Sequence, residues 1–165
     1  MVLYNDTAGK SDAKDTAESF KNYLEEHDPK SEAVLQPSNP DIEPETIQKN
    51  AKEHQIDTIA IIGGDGTIHH ALQTFVDQLD KLTVAIIPGG TVNNFARMLG
   101  IPLKPEEAFE TILNGTDRQI DYGLVNDSMM ISTMTIGLLA DTAAATSQEE
   151  KQQFGPLAFT KRFFH

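Results

Sequence analysis

The chain has 165 residues and a formal net charge of −12, from 13 Lys and Arg against 25 Asp and Glu, with no Lys/Arg run anywhere. This excludes nucleic-acid binding through a basic patch, and the lack of any cysteine excludes a disulfide framework or a thiolate metal site and fits a reducing cytosol. With 39% apolar residues the chain can bury the core of one ordinary domain and a fragment of another, yet no apolar run approaches the ~20 residues that cross a bilayer and no signal-peptide pattern opens it.

In chain order, residues 1–4 read as a short strand. Residues 15–27 place Ala17, Phe20 and Leu24 on one face at helical spacing and end before Pro29. Residues 32–35 read as the next strand, and Pro44 at a first helical turn introduces a helix to residue 54 with Ile47 and Ala51 inward. A strand at 58–62, a helix at 68–79, a strand at 84–87 and a helix at 93–99 follow, then a helix at 105–114 closed by Asn114-Gly115. Strand–helix alternation with continuous apolar strands predicts an α/β fold, a parallel sheet with helices on both faces. From Gln119 the pattern changes: residues 120–125 and 129–136 are extended segments around Asn126-Asp127, a hairpin signal. The domain reading is therefore 1–118 for an α/β domain and 119–165 for the incomplete beginning of a β-rich second domain. Its extended segments carry unpaired strand edges and an apolar face, and residues 154–164 add an apolar tail, which together predict a homodimer.

Two of the strands run into glycine-rich turns and then helices: Gly63-Gly64-Asp65-Gly66-Thr67 after the third, and Pro88-Gly89-Gly90-Thr91-Val92-Asn93-Asn94 after the fourth. A backbone surrounds a phosphate only where no Cβ intervenes, and free N–H groups opening a helix supply partial positive charge at that point. One such turn is equally a plain tight connection. Two of them at the carboxyl ends of buried strands predict a ligand crevice between them.

On these residues the chain resembles the catalytic domain of the diacylglycerol kinase family, in particular the bacterial soluble lipid kinases, which share a fold with NAD kinases and sphingosine kinases. Gly63 to Thr67 alone admits the NAD kinases. The block Gly90-Thr91-Val92-Asn93-Asn94-Phe95-Ala96-Arg97-Met98-Leu99-Gly100-Ile101-Pro102 resembles the lipid kinases specifically. Tyr4-Asn5-Asp6-Thr7-Ala8-Gly9-Lys10 is similar to the family's opening Asn-Pro-x-Ser-Gly-Lys segment, with Asp6 in place of proline and Ala8 in place of serine. Ile120-Asp121-Tyr122-Gly123 resembles its crossing into a second, β-rich domain. Family members are longer, and their metal ligands and proposed base lie in the later half.

The resemblance implies a nucleotide site built from Asn5, Asp6, Thr7, Ala8 and Gly9 of the first loop, from Gly64, Asp65, Gly66, Thr67, Ile68, His69 and His70 around the first turn, and from Gly89, Gly90, Thr91 and Asn94 of the second. Asp65 is the catalytic candidate. A carboxylate beside phosphates repels them unless Mg²⁺ or a hydroxyl intervenes, so Asp65 orients a substrate hydroxyl or water, contacts Mg²⁺ or acts as a general base; capping a helix is the structural alternative. His69 and His70 replace the family's Asn-Glu pair, and neighbours about 100° apart on a helix do not make a two-histidine metal site. Asn93 and Asn94 either contact the ligand or fix the turn through Asx-type bonds. Arg97 pairs with a phosphate or forms an ion pair, and Ser132 stands where relatives have asparagine. No metal ligand is assigned.

The implied activity is transfer of the γ-phosphoryl group of ATP, with Mg²⁺, to a lipid hydroxyl met at the membrane surface by a cytoplasmic or peripheral protein. This chain is then the nucleotide-binding part, inactive alone. NAD-kinase-like action on a soluble nucleoside and a non-catalytic nucleotide-binding regulatory module are the alternatives.

Overall fold

The computed structural model describes residues 1–7, 12–126 and 128–131, which belong to one compact unit, Met1–Ile131. Four parallel strands, β1 (Val2–Tyr4), β2 (Leu35–Pro37), β3 (Thr58–Gly63) and β4 (Thr83–Pro88), form a sheet in the order β2-β1-β3-β4. The helices are α1 (Ala13–His27), α2 (Pro44–Glu53), α3 (Asp65–Thr74), α4 (Asn94–Leu99) and α5 (Pro105–Asn114).

Alternation along the strands divides the core in two. Leu3, Ile59, Ile61 and Ile86 face Ile47 of α2, Ile68, Leu72 and Phe75 in and after α3, and Phe95 of α4. Val2, Tyr4, Ala60, Ile62, Ala85 and Ile87 face Ala17 and Phe20 of α1 and Phe109 of α5. Rings pack on that second face, with Phe20 and Phe109 centroids 5.0 Å apart. Helices therefore cover both faces, which is why β3 and β4 read as unbroken apolar runs.

Two of the boundaries that differ from the sequence expectation bear on the site. β2 lies at Leu35–Pro37 rather than at 32–35, bracketed by Val2 N donating to Val34 O (2.8 Å) and Ser38 N donating to Tyr4 O (2.8 Å). Pro37 has no N–H to give, and β2 tolerates it because it is an edge strand. The third helix starts at Asp65 rather than 68 and gives way to a 3-10 helix at Val76–Lys81. Its first intrahelical bond runs from Ile68 N to Gly64 O (3.0 Å), so extended Gly64 is the cap and Gly66 sits inside the first helical turn.

Strands β5 (Gly123–Val125) and β6 (Ser128–Met130) pair antiparallel, Leu124 opposite Met129, with Asn126 at φ 49 beyond β5. Ala8, Gly9, Ser132, residues 132–136 of the expected second extended segment and the 154–164 tail lie outside the described residues.

The first strand also places a charge. The Met1 amino group donates to Thr58 O (2.7 Å), and burial, against a smaller pull from Asp57, lowers its pKa from 8.0 to about 6. Between pH 6 and 8 the unfolded chain then binds more protons at this group than the folded one, so stability rises with pH across that window and the penalty is complete below it. The gain is expected to be of order 2 kcal/mol. Urea melts at pH 6 and 8 check this when compared with the amino-acetylated chain, which retains the histidines but loses the amine. An equal pH dependence in both would contradict it.

Candidate functional site

Strand order reverses direction at β1, because the chain leaves β1 for β2 on one side and β3 for β4 on the other. The segments after β1 and β3 therefore diverge, and ligands of open α/β sheets bind at such a switch point beyond the carboxyl strand ends. The register puts Tyr4 beside both Pro37 and Ile62, and Gly63 beside Pro88, so the predicted loop and both glycine turns share one edge of the sheet.

The two glycine turns touch. Gly89 N donates to Gly63 O (2.9 Å), and a Cβ on Gly90 would stand 2.4 Å from the Gly64 Cα, a separation no side chain allows. The expected crevice between the turns is therefore closed at this point, and the open surface is their solvent side, where Gly66, Gly89 and Thr91 are exposed. Gly66 differs from its neighbours: a Cβ there meets nothing within 4 Å. Nothing in the packing requires glycine, although glycine inside a helix costs about 1 kcal/mol relative to alanine.

Polar side chains lock this arrangement. Asn93, buried and in the left-handed region at φ 55, accepts Gly90 N at Oδ1 (2.9 Å) and donates from Nδ2 to Gly90 O (2.8 Å). Asp65 accepts Asn94 N at Oδ2 (3.0 Å) and Phe95 N at Oδ1 (2.9 Å). Its carboxylate thus satisfies two of the amides that open α4, across the two turns rather than on its own helix. Arg97 donates from Nε to Val92 O (2.8 Å) and so fastens the second turn. The Ile68 amide is committed to Gly64, which leaves the Asp65, Gly66 and Thr67 amides at the start of α3 without intrahelical partners.

The other predicted positions divide by role. Asn5 Oδ1 accepts both Thr7 N and Thr7 Oγ1 (2.9 Å each), which turns the chain at the end of β1, and Asp6 Oδ1 accepts Asn39 Nδ2 (2.7 Å). Ile68 is buried in the core. His69 donates from Nε2 to Met129 O (2.8 Å) while Gln73 Oε1 accepts Met129 N (2.7 Å), so α3 engages both backbone groups of Met129 in β6. That side chain faces the hairpin. His70 Nε2 is buried and has no hydrogen-bond partner. Among the described residues no three His, Asp or Glu side chains converge to hold a metal.

Ser38 was not singled out by the sequence. It is 1% exposed and its hydroxyl has no partner, at the carboxyl end of β2 beside Tyr4 O. The available signal was weak: one small polar pair, Ser38-Asn39, following an edge strand.

A parallel sheet covered on both faces, with two interlocked glycine turns at its carboxyl edge, defines an α/β domain. The model of the diacylglycerol kinase catalytic domain matches residues 1–125, and the chain belongs to that family. It is 36% identical over 112 residues to the diacylglycerol kinase of Bacillus subtilis, covering 67% of this chain and 37% of that protein. Over 102 residues it is 36% identical to a probable lipid kinase YegS-like of Pseudomonas aeruginosa, covering 62% of this chain and 33% of the relative. A solved structure of a putative diacylglycerol kinase from Bacillus anthracis superposes with a TM-score of 0.68 at 26% identity, over 90% of this chain and 52% of that one. The chain thus spans about half or less of the length of these relatives.

Proposed function

We propose that this chain is the nucleotide-binding part of a lipid kinase that transfers the γ-phosphoryl group of ATP to a lipid hydroxyl. The observation that carries the reading is Gly66, a glycine in a helical turn with open space where its Cβ would be, beside amides that have no intrahelical partner. A phosphate accepts those N–H groups and needs the space. Gly64, Thr67, Gly89, Gly90 and Thr91 complete the phosphate side. Mg²⁺ would come with the nucleotide and would neutralise the charge of its phosphates.

Transfer joins the lipid oxygen to the γ-phosphorus and breaks its bond to the bridging oxygen, so ADP leaves and the hydroxyl proton must go to a base. Both Asp65 oxygens already accept amide hydrogens, and its part is to hold the second turn against the first. The base and the metal carboxylates are then supplied by residues other than those of the two turns. Catalysis of this class rests on positioning and charge neutralisation, and the turns supply the positioning.

The test is transfer of label from γ-labelled ATP by the protein at its native length, with Mg²⁺ and either diacylglycerol micelles or NAD⁺. Labelled lipid is expected, with little or no turnover by the 165-residue chain alone. Labelled NADP⁺, or binding of ATP with no transfer to either acceptor, would refute the lipid-kinase reading.

A further inference from the structure

We propose that Asp6 reads the ribose hydroxyls of the bound nucleotide, an inference that rests on the nucleotide site proposed above. Four segments stand side by side at the carboxyl edge of the sheet: Ser38-Asn39 after β2, Asn5-Asp6 after β1, Gly63-Gly64 after β3 and Gly89-Gly90 after β4. Neighbouring strands lie about 4.8 Å apart, so this row is about 14 Å long. It is long enough to hold the two ends of one nucleotide at different strands.

Charge decides which end lies where. The glycine end offers amides, and its one carboxylate, Asp65, is already turned onto two N–H groups. Next to it, one strand away after β1, stands the Asp6 carboxylate, which repels phosphate and attracts hydroxyl donors. Asp6 is exposed, and among the described residues its Oδ1 accepts Asn39 Nδ2 while Oδ2 carries no hydrogen bond. Asn39 is itself 6% exposed and fixed by accepting Asp41 N at Oδ1 (2.9 Å). The carboxylate is therefore aimed by a buried amide and keeps an oxygen free. The two vicinal hydroxyls of a ribose are the donors that such an oxygen accepts, as acidic side chains do for ribose in other α/β nucleotide sites. Proline at position 6, as in the Asn-Pro-x-Ser-Gly-Lys pattern that the first loop resembles, offers neither contact.

Calorimetry on the 165-residue chain with Mg²⁺ tests this, comparing ATP with 2′,3′-dideoxy-ATP for the wild type, Asp6→Ala and Asp6→Asn. The wild type is expected to prefer ATP about ten- to hundredfold, the range of hydrogen bonds to a charged acceptor. Asp6→Ala is expected to bring the two affinities together, mainly by weakening ATP. Asp6→Asn keeps an oxygen for Asn39, so it remains folded if Asp6→Ala does not, and most of the preference is expected to be lost there too. ATP binding without preference in the wild type, or an unchanged preference in the variants, would overturn the role of Asp6 while leaving the nucleotide site standing. Equal weakening of both nucleotides would likewise overturn it and point to a cation or loop role. If neither nucleotide binds the wild type, the nucleotide reading fails and this one falls with it.

Discussion

Gly90→Ala is expected to destabilise the fold by about 2–4 kcal/mol, in the range of overpacked and strained core positions. The added methyl would stand 2.4 Å from Gly64 Cα and 2.9 Å from Asn93 Oδ1. The first neighbour is backbone at the head of α3 and has nowhere to go. The second is the side chain that holds the Gly90 peptide at both its N–H and its C=O. Relief requires the turns to part, which also pulls the α4 amides away from Asp65. Thermal melts check this, with a fall of roughly 10 °C expected for a domain of this size. An unchanged melting temperature would mean that the turns are not in contact.

Gly66→Val is expected to do the reverse: leave stability within about 0.5 kcal/mol, since valine is no worse a helix residue than glycine, and weaken ATP binding by roughly a hundredfold or more. An added Cβ meets nothing within 4 Å, so the fold has little to lose. It does occupy the space over the free amides at the start of α3, and two charge-assisted hydrogen bonds lost to phosphate account for a change of that size. Measured together, the two variants separate glycine kept for packing from glycine kept for a ligand. Wild-type ATP affinity in a folded Gly66→Val protein would place the ligand elsewhere.

The layered architecture was legible because its causes are periodic. β3 and β4 are buried on both faces and read as continuous apolar runs, while Ala17, Phe20, Ile47 and Ala51 repeat at helical spacing beneath them. The misplaced boundaries have local causes. Pro37 looks like a strand breaker but sits on an edge strand, and Gly66 looks like part of a turn but lies within α3. In the site, the glycine turns were legible, and the fixing of the second turn by Asn93 was one of the readings left open, while its partner Gly90 came only with the structure. The Asp65 ties to Asn94 and Phe95 were not legible, because that pairing exists only once β3 and β4 lie side by side. The same holds for His69, whose partner Met129 is on another element, and for Ser38, whose distinction is the lack of any partner among the described residues.

The central claim is that nucleotide phosphates bind on the solvent side of the two interlocked turns. Titrating the isotope-labelled 165-residue chain with MgATP while following its backbone amide resonances tests it most directly. The account predicts saturable shifts that begin at Gly64, Asp65, Gly66 and Thr67, include Gly90 and Thr91, and spare α5 on the opposite face. Saturable shifts confined to other elements, or none at millimolar MgATP, would contradict it.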